Sequence, residues 1–492
     1  MPEFQSRFKE IQRRVPIDEH NFSIQFDETK CKNCTLCRRT CAATQTVMDY
    51  YYLPSTNDMP ICVHCGQCAA VCPFGAITEV SDVDKVKAAI ADPSKVVMIQ
   101  TAPAVRVGLG EAFGMDPGTF VEGKMVAALK KLGADYVFDT DFGADLTIME
   151  EAMELLHRLQ SEEIPIPQFT SCCPAWVEFL ETYYPDLMPH LSSTKSPISI
   201  LSAVMKTWFV KQQNLDPKDV VIVDVAPCTA KKAEIRRPEL NASAAYWNQE
   251  DLRDTDISIT TRELAEWIKS EGIDFDQLED DHFDKVFGES TGGGRIFGNS
   301  GGVMEAALRA AYYFFTGRKA PADFIPFEPV RGLEGVKKAT VVFGHFVIHV
   351  AAISGLGNAR KFLDELVAAG NFEDYSFIEV MACPGGCIGG GGQPKVKLPQ
   401  VKKVQQARMD SLYKSDVAAE YKASWENPEI QDLYKQFLGE PLSETAEMML
   451  HTYFTDRSDD LGEMKHVTPV TNPMSPSYKP PVDTPAEADK KE

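Results

Sequence analysis

The thirteen cysteines of the chain stand at positions 31, 34, 37, 41, 62, 65, 68, 72, 172, 173, 228, 383 and 387. None lies between 72 and 172 or between 228 and 383. An odd count, and an N-terminus (Met1–Pro16) without an apolar leader, argue against a disulfide framework. Thiols clustered in this way are ligands. Cys31-Lys-Asn-Cys34-Thr-Leu-Cys37-Arg-Arg-Thr-Cys41 reads C-x2-C-x2-C-x3-C, and Cys62-Val-His-Cys65-Gly-Gln-Cys68-Ala-Ala-Val-Cys72-Pro73 repeats it. Two-residue gaps let one tight loop hold three corners of an iron–sulfur cubane, and the fourth cysteine of such a run ligates the other cluster. The spacing therefore predicts one [4Fe–4S] cluster on Cys31, Cys34, Cys37 and Cys72, and a second on Cys62, Cys65, Cys68 and Cys41. Zinc on C-x2-C pairs is the alternative; the matched runs and the trailing Pro73 favour cubanes. His64, inside the second run, reads as a loop residue.

Over some 55 residues this segment resembles a bacterial two-cluster ferredoxin domain, which implies electron relay. Five cysteines remain. Thr170-Ser171-Cys172-Cys173-Pro174 carries two in succession. Consecutive side chains diverge, so one ligates while the other does something else. Pro227-Cys228-Thr-Ala-Lys231 supplies another, and Cys383-Pro-Gly-Gly-Cys387 two more, followed by the run Gly389–Gly392, which permits close backbone approach to something bulky. Four ligands and one spare thiol suffice for a third cubane.

These three motifs, in their order and spacing, closely resemble the signature motifs of the [FeFe]-hydrogenases, over roughly residues 26–455. The resemblance implies an H-cluster: a cubane on Cys173, Cys228, Cys383 and Cys387, bridged by Cys387 to a diiron unit with CO, cyanide and azadithiolate ligands. By the same resemblance Cys172 is the proton-transfer thiol. Lys231 holds a cyanide, backbone around Ala102, Pro103 and Pro227 completes the cradle, and Met381 packs against the diiron unit. On a helix expected from about Leu146 to Gln160, Glu151, Glu154 and Arg158 share one face. With Ser192 they match a proton path running Cys172, Glu151, Ser192, Glu154, Arg158, solvent. Read alone, that helix is an amphipathic one with a solvated acidic face. The implied reaction is 2H⁺ + 2e⁻ ⇌ H2, with electrons from a ferredoxin- or flavodoxin-type carrier and a diiron unit installed by maturation proteins, in a monomer.

The chain departs from the family pattern at four places. Ala226 replaces a methionine, Ala230 a serine, Ile198 a glutamine and Ala104 a serine. Each exchanges a polar or polarisable neighbour for a small or apolar one, which bears on cluster tuning. Two other readings share these motifs: a hydrogen sensor of low turnover, and an iron–sulfur assembly protein without the diiron unit. The absence of an appended signalling domain, and the retention of Cys172, Glu151, Glu154 and Lys231, favour the enzyme.

What must position these residues is a chain of 492 residues with 44% hydrophobic and 25% charged content, enough for two or three domains. A net charge of −22 argues against a nucleic-acid partner. The apolar runs, such as Val96–Ile99 and Val220–Val223, are strand-sized, which excludes a helical membrane span. Arg13-Arg14 has no apolar run after it, so the expected location is cytoplasmic. Strands at Val96–Gln100, Tyr136–Asp139, Val220–Val225 and Ser376–Val380 alternate with helices. The expected fold is α/β: an H-cluster domain of two lobes of mostly parallel sheets flanked by helices, behind a small α+β ferredoxin-like domain. The expected divisions are a lead at 1–24, a ferredoxin-like domain at 25–82, the H-cluster domain at 83–455 and a disordered Pro-rich tail at 456–492. His345 and His349 read as core histidines of an apolar strand. The glycines between Gly292 and Gly302 read as a tight turn before a helix at Val303–Tyr312, because no Gly-Lys-Ser/Thr ending follows.

Overall fold

The computed structural model describes residues 14–51, 53–161, 163–321, 330–343 and 346–465. Near the N-terminus, β1 (Ile24–Phe26) pairs antiparallel with β2 (Ile77–Glu79), Ile24 opposite Glu79. Both dense cysteine runs lie between these strands. Each run turns the same way: Asn33 and Thr35 take left-handed backbone at φ 52° and 66°, and His64 and Gly66 at φ 56° and 67°. The reversals flank the second cysteine of each run. They lead into one-turn helices, α1 (Leu36–Arg39) and α2 (Gln67–Ala70), that carry the third. A repeated spacing has produced a repeated backbone.

Two four-stranded sheets form the body. In the first, the order is β4-β3-β6-β7, with β3 at Val96–Thr101, β4 at Tyr136–Asp139, β6 at Val220–Ala226 and β7 at Ile257–Thr260, all parallel. Val96 faces Val220, and Thr101 faces Val225. The Val- and Ile-rich stretches of β3 and β6 are what a sheet covered on both faces requires. In the second sheet, β5 (Gln168–Phe169), β10 (Phe377–Met381) and β9 (Phe346–Ser354) are parallel, and β8 (Val336–Phe343) closes the edge as the antiparallel arm of a hairpin. Two sheets of mostly parallel strands flanked by helices are the α/β class expected.

Helix α3 (Thr140–Gln160) begins six residues before the predicted start, with the Asp139 side chain accepting from the Asp141 amide as its N-cap. The signal was masked by Gly143, a poor helix former. Its reason is packing: a Cβ there would lie 2.2 Å from the Pro197 carbonyl oxygen, at the start of α5 (Pro197–Val204). Instead of offering an acidic face to solvent, α3 buries Asp141, Asp145, Glu150, Glu151, Glu154 and Arg158. Helices α4 (Pro174–Tyr183), α6 (Gly302–Thr316) and α7 (Leu356–Ala369) pack in the same core.

Two other expectations are corrected. The tail is ordered past residue 455: Ser458–Met464 forms a 3-10 helix with Leu461 buried. Arg457 pairs with Glu181 at 3.1 Å, and the Leu461 carbonyl accepts from the Ser55 hydroxyl at 3.1 Å. One apolar residue and one buried carboxylate suffice to seat a segment whose composition looked solvated; residues 466–492 lie outside the described ones. His349 is exposed on β9, its Nδ1 3.0 Å from Thr340 Oγ1. The alternation of the strand puts Ile348 and Val350 inward and His349 out. His345 lies outside the described residues.

The glycine-rich stretch folds as a short helix at Gly292–Arg295 and a 3-10 turn at Ile296–Gly298 before α6. A helix at Val83–Ala91 leads from β2 to β3.

Candidate active site

Parallel strands deliver the chemistry-bearing loops from their C-terminal ends, where open α/β sheets place ligand sites. Cys172 and Cys173 follow β5. Cys173 is the N-cap of α4, with Pro174 in the first turn, and its sulfur accepts the Ala382 amide at 3.4 Å. Cys228 follows β6 through Pro227, and Cys383 and Cys387 follow β10. Cys173, Cys228, Cys383 and Cys387 converge. Burial pushes the Cys383 thiol well up, and its three companions push the same way. Burial raises the Cys228 thiol to about 12, with Cys173 adding to it. Two buried and two half-buried thiols gathered in this way want a cation among them.

The N-terminal cysteines gather at two neighbouring places. Cys31, Cys34, Cys37 and Cys72 line one cavity, bordered by Arg14, Lys32, Phe26 and Phe74. Cys41 joins Cys62, Cys65 and Cys68: burial raises the Cys68 thiol, and the other three raise it further. Backbone amides aim at the sulfurs, Asn33 N–H at Cys31 (3.5 Å) and His64 N–H at Cys62 (3.4 Å), the same bond in both runs. Among the described residues no three His, Cys, Asp or Glu side chains stand close enough for one metal ion. A cubane holds its four cysteines on four separate iron corners, whereas a zinc ion draws them to one centre. The thiol groups, the amide donors and the loop reversals fit cubanes.

His64 is buried in its loop, stacked on Phe22 at 4.8 Å. Burial, with Arg457 and Arg236 nearby, lowers it to about 4. The glycine run after Cys387 allows close approach, but to backbone: a Cβ on Gly391 would lie 2.3 Å from the Cys65 carbonyl oxygen. Gln67 Nε2 donates to the Gly389 carbonyl at 2.9 Å. The loop of the second cysteine run is thus sealed against the loop that carries Cys387.

The expected proton groups form a buried line. Cys172 is buried, and its thiol is pushed well up by burial, then by Glu151, Cys173 and Cys387. Burial likewise raises Glu151, with Glu154 and Glu379 adding to it and a Ser192 hydrogen bond opposing. Glu151 Oε2 is buried without a partner. Ser192 Oγ donates to Glu154 Oε2 at 2.7 Å. The orphaned carboxylate and the thiol bear on one another electrostatically.

Arg158 departs from its expected place as a carrier. Its Nε and Nη2 donate to Glu154 Oε1 at 3.2 and 2.8 Å, Nη2 also to the Leu191 carbonyl at 2.9 Å, and Nη1 to the Pro165 and Pro189 carbonyls at 2.9 and 3.0 Å. All five N–H groups are engaged, and a guanidinium does not give up a proton. Arg158 is a positioning residue for Glu154.

Lys231 Nζ reaches the Cys172 carbonyl at 3.2 Å, Ser196 Oγ at 2.9 Å and Glu234 Oε2 at 2.6 Å. Burial works against its charge, and Glu234 outweighs burial, so the ammonium is held firmly protonated. Glu234, which also accepts from Ser196 and Ser199, was missed by sequence reasoning although it lies one helical turn past Lys231. Thr229, whose hydroxyl bonds the His64 carbonyl, was missed too. Pro103 and Met381 are buried and Ala102 half-buried, at the ends of β3 and β10; Pro227 accepts the Gly392 amide at 2.8 Å. The four departures from the pattern, Ala104, Ile198, Ala226 and Ala230, are all buried.

The model of the family described as "Iron only hydrogenase large subunit, C-terminal domain" matches residues 95–391. The NADP-reducing hydrogenase subunit HndD of Solidesulfovibrio fructosivorans is 45% identical over 457 residues, covering 88% of this chain and 75% of that protein. The chain belongs to the iron-only, or [FeFe], hydrogenases. It is an oxidoreductase of H2, working at an H-cluster with iron–sulfur clusters. Iron hydrogenase 1 of Clostridium pasteurianum is 42% identical over 449 residues, covering 88% of this chain and 76% of that protein. A variant of the [FeFe]-hydrogenase HydA1 from Chlamydomonas reinhardtii superimposes with a TM-score of 0.67 at 39% identity, covering 77% of this chain and 99% of that one. The cytosolic iron-sulfur assembly component 3 of Bos taurus is more distant, 31% identical over 409 residues, covering 80% of this chain and 82% of that protein. Two shorter matches are a 4Fe-4S binding domain at 55–77 and an iron hydrogenase small subunit at 402–457. The second match, which sequence reasoning did not separate from the rest, takes in α8 (Val401–Ala418), α9 (Pro428–Leu433) and α10 (Glu444–Leu450). No helix among the described residues is long and apolar enough to cross a membrane.

Proposed function

We propose that this hydrogenase interconverts protons, electrons and H2 on an H-cluster held by Cys173, Cys228, Cys383 and Cys387, fed by a ferredoxin- or flavodoxin-type carrier through two N-terminal [4Fe–4S] clusters. The observation that carries the reading is the buried sequence Cys172, Glu151, Ser192, Glu154 beside four converging thiols. A diiron unit with CO, cyanide and azadithiolate ligands would supply a low-potential open iron site and an internal base for splitting H2. Lys231, clamped by Glu234 and Ser196, would hold a cyanide. Cys172 would exchange a proton with that base and Glu151 would take it up. Ser192 would pass it to Glu154 by exchanging its own.

The relay order follows from exposure. Cys34 is exposed, and the cavity it shares is bordered by the side chain of Phe74, 46% exposed. Lys32 and Arg39 lie exposed nearby. In a chain of net charge −22, a basic and apolar spot at the outer cluster suits an acidic carrier. The packing of the Cys65 loop on the glycines after Cys387 supports a second cluster between the two.

An infrared spectrum of the anaerobic protein, loaded with the diiron precursor, tests the reading. Metal CO and cyanide bands that shift under H2, with turnover driven by reduced ferredoxin, are expected. Loading without bands, or bands without turnover, would overturn it in favour of the assembly or the sensor reading respectively.

A further inference from the structure

The engagement of Arg158 leaves the outer end of the proton line without a taker. Glu154 holds Arg158 on Oε1 and Ser192 on Oε2, and its side chain is only 12% exposed. The neighbouring Ser193 lies on the other side. Its amide donates to Glu154 Oε1 at 3.4 Å, and its hydroxyl stands 2.8 Å from Nδ1 of His451. His451 comes from the segment that matches the small subunit. It is stitched to the serine strand by a Thr194–His451 bridge, by the Lys195 amide on the Leu450 carbonyl and by the Thr452 amide on the Ser193 carbonyl, both at 2.8 Å.

We propose that Ser193 and His451 carry the proton from Glu154 to Glu447 and so to solvent, making the small-subunit segment part of the proton route. The inference rests on the path proposed above as far as Glu154. Nε2 of His451 lies 3.1 Å from Glu150 Oε2, a buried carboxylate that also takes the Leu442 amide at 2.8 Å and the Tyr434 hydroxyl. That acceptor fixes the ring proton on Nε2 and leaves the Nδ1 lone pair facing Ser193. Nδ1 also lies 4.0 Å from Glu447 Oε2, whose side chain is 52% exposed. In the proposed step Ser193, whose amide bonds Glu154, takes the proton leaving Glu154 on its hydroxyl and gives its own to Nδ1 at 2.8 Å, forming an imidazolium. Nδ1 then returns that proton to the Glu447 carboxylate, which discharges into water. One proton moves, every O–H and N–H broken is replaced by one formed, and no electron is involved.

The charged groups around the ring favour this. Glu150 and Glu154 face it from α3 and Glu447 from α10, while Lys195, the nearby cation, is spent on Asp254 and the Met449 carbonyl. Burial opposes the imidazolium, and the Glu150 hydrogen bond and the carboxylates outweigh burial, so His451 is raised. A ring so placed takes up a proton more readily than a free imidazole.

The test compares H451Q, S193A and E154Q in the loaded holoenzyme by the pH profile of H2 evolution and by infrared spectra. H451Q and S193A are expected to lose about a hundredfold or more in rate, the lower end of the range for a positioned proton carrier. The CO and cyanide bands should stay in place, and the imidazolium's limb should vanish from the pH profile. Wild-type rates in H451Q and S193A with a slow E154Q would show that Glu154 discharges directly, overturning this inference alone. Wild-type rates in all three would overturn the proton line itself. Should H451Q fail to load, because the Glu150 and Tyr434 network collapses, S193A decides: it leaves that network whole, and an unslowed rate refutes the route.

Discussion

The Thr229 hydroxyl donates to the His64 carbonyl at 2.6 Å, tying the residue after Cys228 to the residue before Cys65. With the Gln67–Gly389 bond, it joins the loop of the second cysteine run to the loops that carry Cys228 and Cys387. Thr229→Val keeps the shape and strands the carbonyl, a cost of about 1–3 kcal/mol. Turnover driven by a protein carrier should fall severalfold while CO and cyanide frequencies stay put; an unchanged rate would remove Thr229 from the electron route.

Cys172→Ala should lower turnover by about a hundredfold or more, the lower end for losing a positioned proton carrier. Iron content should match the parent protein, because Cys172 is the thiol left over once four have been assigned to the cubane. Loss of iron would move Cys172 into the ligand set instead.

Glu154→Gln and Arg158→Lys separate carrying a proton from positioning the carrier. Glu154→Gln removes the titrating group and should cost about a hundredfold. Arg158→Lys keeps the charge but loses the planar fork that spans Glu154 and the Leu191, Pro165 and Pro189 carbonyls. Its loss should be smaller, and it should come with a shifted pH profile. Equal losses with an unshifted profile would return Arg158 to the carriers.

Ile198 sits on α5 with its side chain buried, and its carbonyl takes Gln100 Nε2 at 3.0 Å. Ile198→Gln would return the amide that the family pattern carries there. A cyanide band should shift, because a new donor then faces a cyanide ligand. Stability should drop by about 1–3 kcal/mol in the protein without the diiron unit, where the amide finds no partner. Identical infrared spectra would show that this position does not touch the cofactor.

The cysteine runs were legible because a cubane imposes local spacing: three ligands within seven residues, and a backbone that reverses at the same two places in each run. The strand ends that bear Cys228 and Cys383 were legible from short apolar runs. Less visible was what long-range packing decides. The start of α3 was hidden by Gly143, which is there for Pro197 and not for the helix. Arg158 shared a helical face with two glutamates, and only the fold reveals that proline and leucine carbonyls occupy it. Glu150 and His451 are 301 residues apart, and no spacing announces a pair brought together by the return of the chain. The ordered stretch at 458–464 rests on buried Leu461, on Arg457 against Glu181 and on the Ser55 hydroxyl, long-range contacts that a polar composition does not announce.

Asp145 on α3 gathers the Thr291 amide and hydroxyl, the Ser424 hydroxyl and the Asn427 amide group, at 2.6–3.2 Å. Ser424 and Asn427 belong to the stretch that resembles a small subunit, here continuous with the catalytic body. Seating that stretch is therefore a loop closure within one molecule, governed by effective concentration instead of by the abundance of a second polypeptide. Dilution cannot strip it, each body carries one copy, and α3 gains its Asp145 clamp only when synthesis has passed residue 427 and its Glu150 clamp only past residue 451.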